Sequence, residues 1–248
     1  MTTYGLIGYP LGHSFSASFF TRKFEAEGID AEYRNFPLEN IAGVEDLVDG
    51  EPGLEGFNVT VPYKEQIIPH LDALNKTARA VGAVNTVRIC QKNDCTSLIG
   101  YNTDVVGFER SLKEHIKPNH TRALVLGTGG SSKAVVFVLD ALGIEYRIVS
   151  RSRGEGVLSY EELDHSLVAE HPLIINTTPL GMHPDVDASP EIIYEAITPG
   201  HLLFDLVYNP EKTQFLSRGE TQGASIVNGY DMLVYQAEGS WEIWNKKR

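Results

Sequence analysis

Between Leu124 and Ala134 the chain reads Leu-Val-Leu-Gly-Thr-Gly-Gly-Ser-Ser-Lys-Ala, an apolar run that breaks into glycines and then resumes as a helix pattern. A strand ending at Leu126, a tight turn at Gly127 and Gly129, and a helix from Gly130 would aim several backbone N–H groups at one point, where a pyrophosphate could sit. Gly127 and Gly129 supply the first two glycines of the dinucleotide fingerprint; Ser132 holds the third place, with Ala134 after it for close packing. Two other readings stay open. Such a turn can join a strand to a helix and bind nothing, and Gly127 to Lys133 has nearly the spacing of a triphosphate-binding loop. That loop would lack two residues, because Ser132 replaces the glycine before Lys133 and Ala134 replaces the hydroxyl residue that ligates magnesium.

A second group of candidates lies upstream. Asn58 and Thr60 share one face of the strand Gly56–Val61 by its period of two. Pro62 stops that strand and suits the first turn of a helix carrying Tyr63, Lys64 and Ile67. Asn85 interrupts the apolar strand Gly82–Val87, and Asn102 and Asp104 end the run that begins at Leu98. Ser14 and Ser16 occupy the loop between a first strand, Tyr4–Gly8, and a helix over Ala17–Glu27. Each has a bland alternative: a lysine is usually solvated, and Ser14, Ser16, Asn102 or Asp104 could cap a helix. Together they repeatedly deliver polar groups to strand ends, the edge where open α/β sheets bind ligands; alternating serines could grip a small polar molecule with neutral donors.

The elements that must position these groups alternate throughout. Ala31–Phe36 reads as a strand, Ile41–Val48 as a short helix and Val105–His115 as a helix with Val105, Phe108 and Leu112 on one stripe. After the glycine loop, a helix to Leu142 and a strand Tyr146–Val149 lead into Ser150-Arg151-Ser152-Arg153. An acidic residue at that point would hold the ribose hydroxyls of NAD, whereas arginine suits a 2′-phosphate, so the reading is NADP against the alternative of solvated arginines. Leu173–Asn176, Leu202–Leu206 and Ala224–Val227 read as further strands, and Tyr230–Trp244 as a terminal helix. Met182 is either ordinary packing or a nicotinamide neighbour.

A net charge of −12 over 248 residues argues against a nucleic-acid or membrane-surface partner. No apolar run is long enough to span a bilayer and no secretory segment is visible, which makes the cytoplasm the default expectation. Cys90 and Cys95 flank a polar turn without the further ligands of a zinc set, so no metal site is expected and two reduced thiols on a hairpin are the simplest reading.

Seven motifs, in order along the chain, resemble the shikimate dehydrogenase family. They are His13-Ser14-Phe15-Ser16, Phe57-Asn58-Val59-Thr60-Val61-Pro62-Tyr63-Lys64, Gly82-Ala83-Val84-Asn85-Thr86, Gly100-Tyr101-Asn102-Thr103-Asp104, Gly127-Thr128-Gly129-Gly130, Asn176 to Met182, and Asn228 to Ala237. The resemblance implies an α/β fold of two domains with a cleft between them: a substrate domain of residues 1–106 and 230–248, and a Rossmann-like NADP-binding domain of residues 107–229. It implies NADP-dependent, reversible reduction of 3-dehydroshikimate to shikimate in aromatic amino acid biosynthesis. Lys64 and Asp104 would be catalytic. Ser14 and Ser16 would bind the substrate carboxylate, and Asn58, Thr60, Asn85, Tyr208 and Gln236 would contact the rest of the substrate. Gly127, Thr128, Gly129, Gly130 and Ser131 would take the pyrophosphate, Arg151 and Ser152 the 2′-phosphate, and Ser150, Thr177, Met182, Leu206 and Gly229 would contact the remainder of the cofactor. A monomer or homodimer is expected.

The chain departs from the family pattern at Ala17, where proline is usual, and at Ser150, where asparagine precedes the cofactor-selecting arginine; the lysine after that arginine is also missing. Two alternatives to the shikimate-specific enzyme stay open: one that also accepts quinate, and a non-catalytic sensor that binds the dinucleotide.

Overall fold

The structure is a computed structural model that describes residues 1–12, 14–92 and 95–246. His13, the first residue of one quoted motif, lies outside them. The chain divides into two compact units, one of Met1–Val106 with Val234–Arg248 and the other of Gly107–Leu233.

The first unit carries a six-stranded sheet of β1 (Thr2–Gly8), β2 (Ala31–Pro37), β3 (Leu54–Val59), β4 (Ala73–Leu74), β5 (Thr86–Lys92) and β6 (Cys95–Tyr101), in the order β2-β1-β3-β5-β6-β4. Strands β2, β1 and β3 are parallel, while β5 runs antiparallel to both β3 and β6. That reversal brings the start of β5 and the end of β6 to the edge where β1 and β3 finish, so one sheet edge collects the polar motifs. Helices α1 (Phe15–Glu27), α2 (Val44–Gly50) and α3 (Lys76–Val81) connect these strands. Cores form on both faces by strand alternation: Ile7 packs with Phe57, Val59 and Ile67, whereas Tyr4 and Leu6 pack with Phe20, Phe24, Tyr33 and Trp244.

The second unit carries six parallel strands, β7 (Arg122–Leu126), β8 (Glu145–Ser150), β9 (Val157–Ser159), β10 (Leu173–Asn176), β11 (Leu202–Asp205) and β12 (Ser225–Val227), in the order β12-β11-β10-β7-β8-β9. Its topology is that of the doubly wound dinucleotide fold, with strand order reversing between β7 and β10. Helices α4 (Asp104–Lys113), α5 (Gly130–Leu142), α6 (His165–Ala169) and α7 (Gln214–Thr221) alternate with the strands, and α8 (Tyr230–Trp244) returns the chain to the first unit. Leu124, Leu126, Val149, Ile174, Leu203 and Phe215 form the core of one face.

Several elements differ from the sequence reading. Helix α1 begins at Phe15, which makes Ser14 its N-cap and places Ser16 in its first turn rather than in a loop. Strand β3 ends at Val59, one residue before Thr60. No α-helix follows Pro62: Val84 N–H donates to Lys64 O at 2.7 Å, so that carbonyl serves a distant segment instead of a helical ladder, and residues 61–67 form successive turns before a short 3₁₀ helix at Ile68–His70. Gly82 ends α3 and β5 starts only at Thr86. Residues 41–43 form a 3₁₀ turn ahead of α2, and Leu206 lies just past β11.

Candidate active site

In the first unit the register aligns Asn58 with Thr86 and Thr86 with Tyr101, so the polar residues at the three strand ends become neighbours. Lys64 Nζ lies 2.7 Å from Asp104 Oδ2, and the two side chains are 15% and 7% exposed. The pair is thus largely withdrawn from water. Asp104 does not cap α4; Asn102 does, its Oδ1 accepting Val105 N–H at 3.2 Å, which leaves the Asp104 carboxylate for Lys64 and Asn85.

Asn85 is the junction of the site. Its Nδ2 donates to Asp104 Oδ1 at 2.9 Å and approaches Gln236 Oε1 at 3.3 Å, while its Oδ1 accepts Thr103 N–H at 2.7 Å. Its backbone carbonyl accepts Val59 N–H at 2.9 Å, and Thr60 N–H donates to Ile7 O at 2.9 Å, so Thr60 is fixed beside the same edge. The structure therefore brings Lys64, Asn85, Asp104 and Gln236 together directly.

Asn58 is placed behind them. It is buried, its Oδ1 accepts the Tyr33 hydroxyl at 2.8 Å, and its Nδ2 faces Asn85 O, Thr86 Oγ1 and Ser240 Oγ at 2.8–3.1 Å. Its amide supports the site from within the core. Ser14 Oγ accepts Ala17 N–H at 3.0 Å, a capping bond that leaves its O–H proton for another partner. Ser16 hydrogen-bonds Tyr33, whose phenol burial pushes well above its ordinary range. Sequence reasoning missed Tyr33, Thr86, Thr103 and Ser240; the spacing of Ser240 four residues after Gln236, one turn along α8, is the available signal.

In the second unit the expected cofactor residues all lie at or just past the carboxyl ends of parallel strands. Gly127 has φ 113°, a backbone region closed to most side chains, and a Cβ there would lie 2.6 Å from Thr177 Oγ1. Thr177 follows β10, so this close approach spans the point where strand order reverses. Thr177 Oγ1 donates to Leu126 O at 2.7 Å and Ser132 Oγ to Gly127 O at 2.8 Å, pinning both sides of the loop. Thr128 and Gly129 are exposed, and Gly129 gives α5 no side-chain cap, so Gly130 and Ser131 open the helix as an anion site requires. A backbone with no room for Cβ at Gly127, beside open space at Gly129, fits a pyrophosphate.

Ser150 ends β8, and Arg151 and Ser152 are exposed after it. Arg153 takes the bland role, solvated with its Nε 3.5 Å from Glu162. Met182 is exposed, and Gly229 sits so close to the Leu206 backbone that no Cβ fits between them. Tyr208 belongs to this unit, and its half-buried phenol is pushed up by desolvation. Asn176 Nδ2, Val207 N–H and Thr213 Oγ1 all donate to the buried carboxylate of Asp205, which ties the ends of β10 and β11 together. A cavity of about 410 Å³ lined by Arg122, Glu145, Arg147 and His171 opens at the opposite sheet edge, where β7 and β8 start, away from these residues. Among the described residues no group of His, Cys, Asp or Glu could hold a metal ion, and no helix is long and apolar enough to cross a membrane. Cys90 and Cys95 are free thiols on the β5–β6 hairpin.

Known proteins resemble this chain over nearly its whole length. Residues 6–87 match the family model described as the shikimate dehydrogenase substrate binding domain. A protein of Methanococcus vannielii named shikimate dehydrogenase (NADP(+)) is 35% identical over 97% of this chain and 90% of its own. The crystal structure of shikimate dehydrogenase 1 from Peptoclostridium difficile superposes with a TM-score of 0.85 at 36% identity, over 100% of this chain and 93% of that one. The enzyme of Thermus thermophilus, solved in complex with NADP(H) and shikimate, gives a TM-score of 0.86 at 30% identity, over 100% and 94% of the two chains. With strand ends that gather a lysine–aspartate pair in one unit and a glycine loop at the switch point of the other, the chain belongs to the shikimate dehydrogenase family.

Proposed function

We propose that this protein is an NADP-dependent oxidoreductase that interconverts 3-dehydroshikimate and shikimate. The observation that carries the reading is the Lys64–Asp104 contact of 2.7 Å, held by Asn85 at the sheet edge. We assign substrate binding to the unit of Met1–Val106 and Val234–Arg248, and cofactor binding to Gly107–Leu233. Gly127 to Ser131 would hold the pyrophosphate, Arg151 and Ser152 the 2′-phosphate, and Thr177, Met182, Leu206 and Gly229 would lie along the rest of the dinucleotide. When bound, NADPH supplies the hydride that reduces the substrate carbonyl.

The chain's own residues handle charge and proton. As the carbonyl oxygen gains negative charge, the Lys64 ammonium stabilises it and gives up a proton, turning the oxygen into a hydroxyl; in the oxidative direction Lys64 receives that proton. Asp104 Oδ2 orients the ammonium, and its carboxylate accepts a substrate hydroxyl. Asn85, Gln236 and Thr60 would hold the remaining ring hydroxyls, and Ser14 and Ser16 would donate to the substrate carboxylate. Ser16 exchanges its Tyr33 contact for the ligand in doing so. The test is NADP reduction with shikimate, with quinate and with neither. Turnover with shikimate alone is expected; equal turnover of quinate would widen the substrate class, and dinucleotide binding without turnover of either would leave a sensor.

A further inference from the structure

Behind Asn85 three hydroxyl oxygens form a triangle in the dry interior. Thr86 Oγ1 lies 2.8 Å from Ser240 Oγ and 3.1 Å from Thr103 Oγ1, and the third side, Thr103 to Ser240, is 3.2 Å. Thr86, Ser240 and Thr103 are 0%, 0% and 1% exposed, so bulk solvent does not compete for their protons. They come from the start of β5, the turn before α4 and the middle of α8, segments that meet only through this fold.

An assignment that spends each proton once shows what the triangle does. Ser240 donates to Gln236 O at 3.0 Å, Thr86 donates to Ser240, and Thr103 donates to Asn85 Oδ1 at 3.1 Å. The Nδ2 protons of Asn85 then go to Asp104 Oδ1 at 2.9 Å and to Thr103 Oγ1 at 3.0 Å or Gln236 Oε1 at 3.3 Å, and Ser240 also accepts from Asn58 at 2.8 Å. Without the Ser240 oxygen, the alternative acceptors for the Thr86 proton are Asn85 Oδ1, already claimed by Thr103 N–H and hydroxyl, and Thr103 Oγ1, itself bonded to Asn85 Oδ1, each at 3.1 Å. The disturbance reaches the Asn85 amide in one step and Asp104 in two.

We propose that Ser240 is a positioning residue of the substrate site, acting through the Thr86–Thr103 hydroxyls to hold the Asn85 amide against the Asp104 carboxylate. The inference rests on the reading of Lys64 and Asp104 as the reacting pair. It also gives α8 two tasks: Gln236 meets Asn85 directly, and Ser240, one turn later, sets the angle at which Asn85 is met.

The test compares Ser240→Ala, Thr86→Val, Thr86→Ser and Asn85→Ala, alone and with Ser240→Ala added to Asn85→Ala. Steady-state kinetics with shikimate, titration of NADP and thermal melting are measured on each. Ser240→Ala and Thr86→Val are expected to lower kcat/KM for shikimate by about 10- to 100-fold, the scale of a misplaced catalytic group, with NADP affinity unchanged. Thr86→Ser, which keeps the hydroxyl, is expected to retain most of the activity. In the Asn85→Ala background Ser240→Ala is expected to cost nothing further, because the residue it positions is gone. Additive losses in the double variant, or a Thr86→Val protein as active as Thr86→Ser, would overturn the proposal; the Thr86 pair decides it even where Ser240→Ala does not fold. A wild-type protein inactive on shikimate refutes the functional reading itself, whereas an active wild type with additive losses refutes only the positioning role.

Discussion

Replacing Asp205 with asparagine isolates the electrostatic cost of one buried carboxylate in the second unit. Asp205 is fully buried, and its carboxylate accepts Asn176 Nδ2 at 2.9 Å, Val207 N–H at 3.0 Å and the Thr213 hydroxyl at 2.6 Å. These donors favour the charged form, but burial outweighs them and pushes the group from 3.8 up to about 6. Because the folded value lies above the unfolded one, the folded state keeps its proton longer, and stability from this group falls as pH rises from about 4 through about 6. The gap between 3.8 and about 6 corresponds to about 3 kcal/mol. Asparagine presents an oxygen to Asn176 and Val207 at every pH and carries no charge. Urea unfolding of wild type and Asp205→Asn at matched pH values from 4 to 8 should therefore show their difference moving by about 2.5 kcal/mol against the wild type as pH rises, then levelling above 7. A difference that stays constant across that range, or that moves in favour of the wild type, would refute the argument.

Three further outcomes concern the site itself. Lys64→Ala should lower kcat by about 10²- to 10⁴-fold with a smaller change in KM, and wild-type turnover from a folded, NADP-binding variant would sink the mechanism. Arg151→Asp should raise KM for NADP and spare weak NAD use; a wild-type protein that already prefers NAD removes the phosphate role of Arg151. Ser14→Ala with Ser16→Ala should weaken shikimate binding in titrations that find NADP affinity intact, and unchanged shikimate affinity would return Ser14 to capping α1 and Ser16 to its contact with Tyr33.

The parts of this molecule that can be read from sequence are those set by local rules. The glycine loop, with β7 ending at Leu126 and α5 starting at Gly130, and the whole of α8 are legible because apolar period and glycine placement fix them within a few residues. The segment after Pro62 reads locally as a helix and is not one, because Lys64 O is claimed by Val84 N–H, a bond between residues far apart that no local propensity reveals. The start of α1 falls two residues earlier than the sequence suggests, since Ser14 and Ser16 are equally good caps and only the fold decides that Ser14 serves. The hydroxyl triangle and the Asp205 junction are invisible for a further reason. Threonine, serine and aspartate at buried positions follow no hydrophobic period, and their meaning comes from partners supplied by other strands.

The discontinuous make-up of the first unit bears on how the protein is made. Trp244 Nε1 donates to Val87 O at 2.9 Å and its ring stacks on Tyr4 at 4.7 Å, so the last turn of α8 closes a core begun by the first strand. During synthesis β1 to β6 emerge long before their covering helix, while Gly107–Leu233 can complete its own sheet as soon as it leaves the ribosome. The second unit can thus complete its sheet before the first, which waits, one face uncovered, for α8 to be translated.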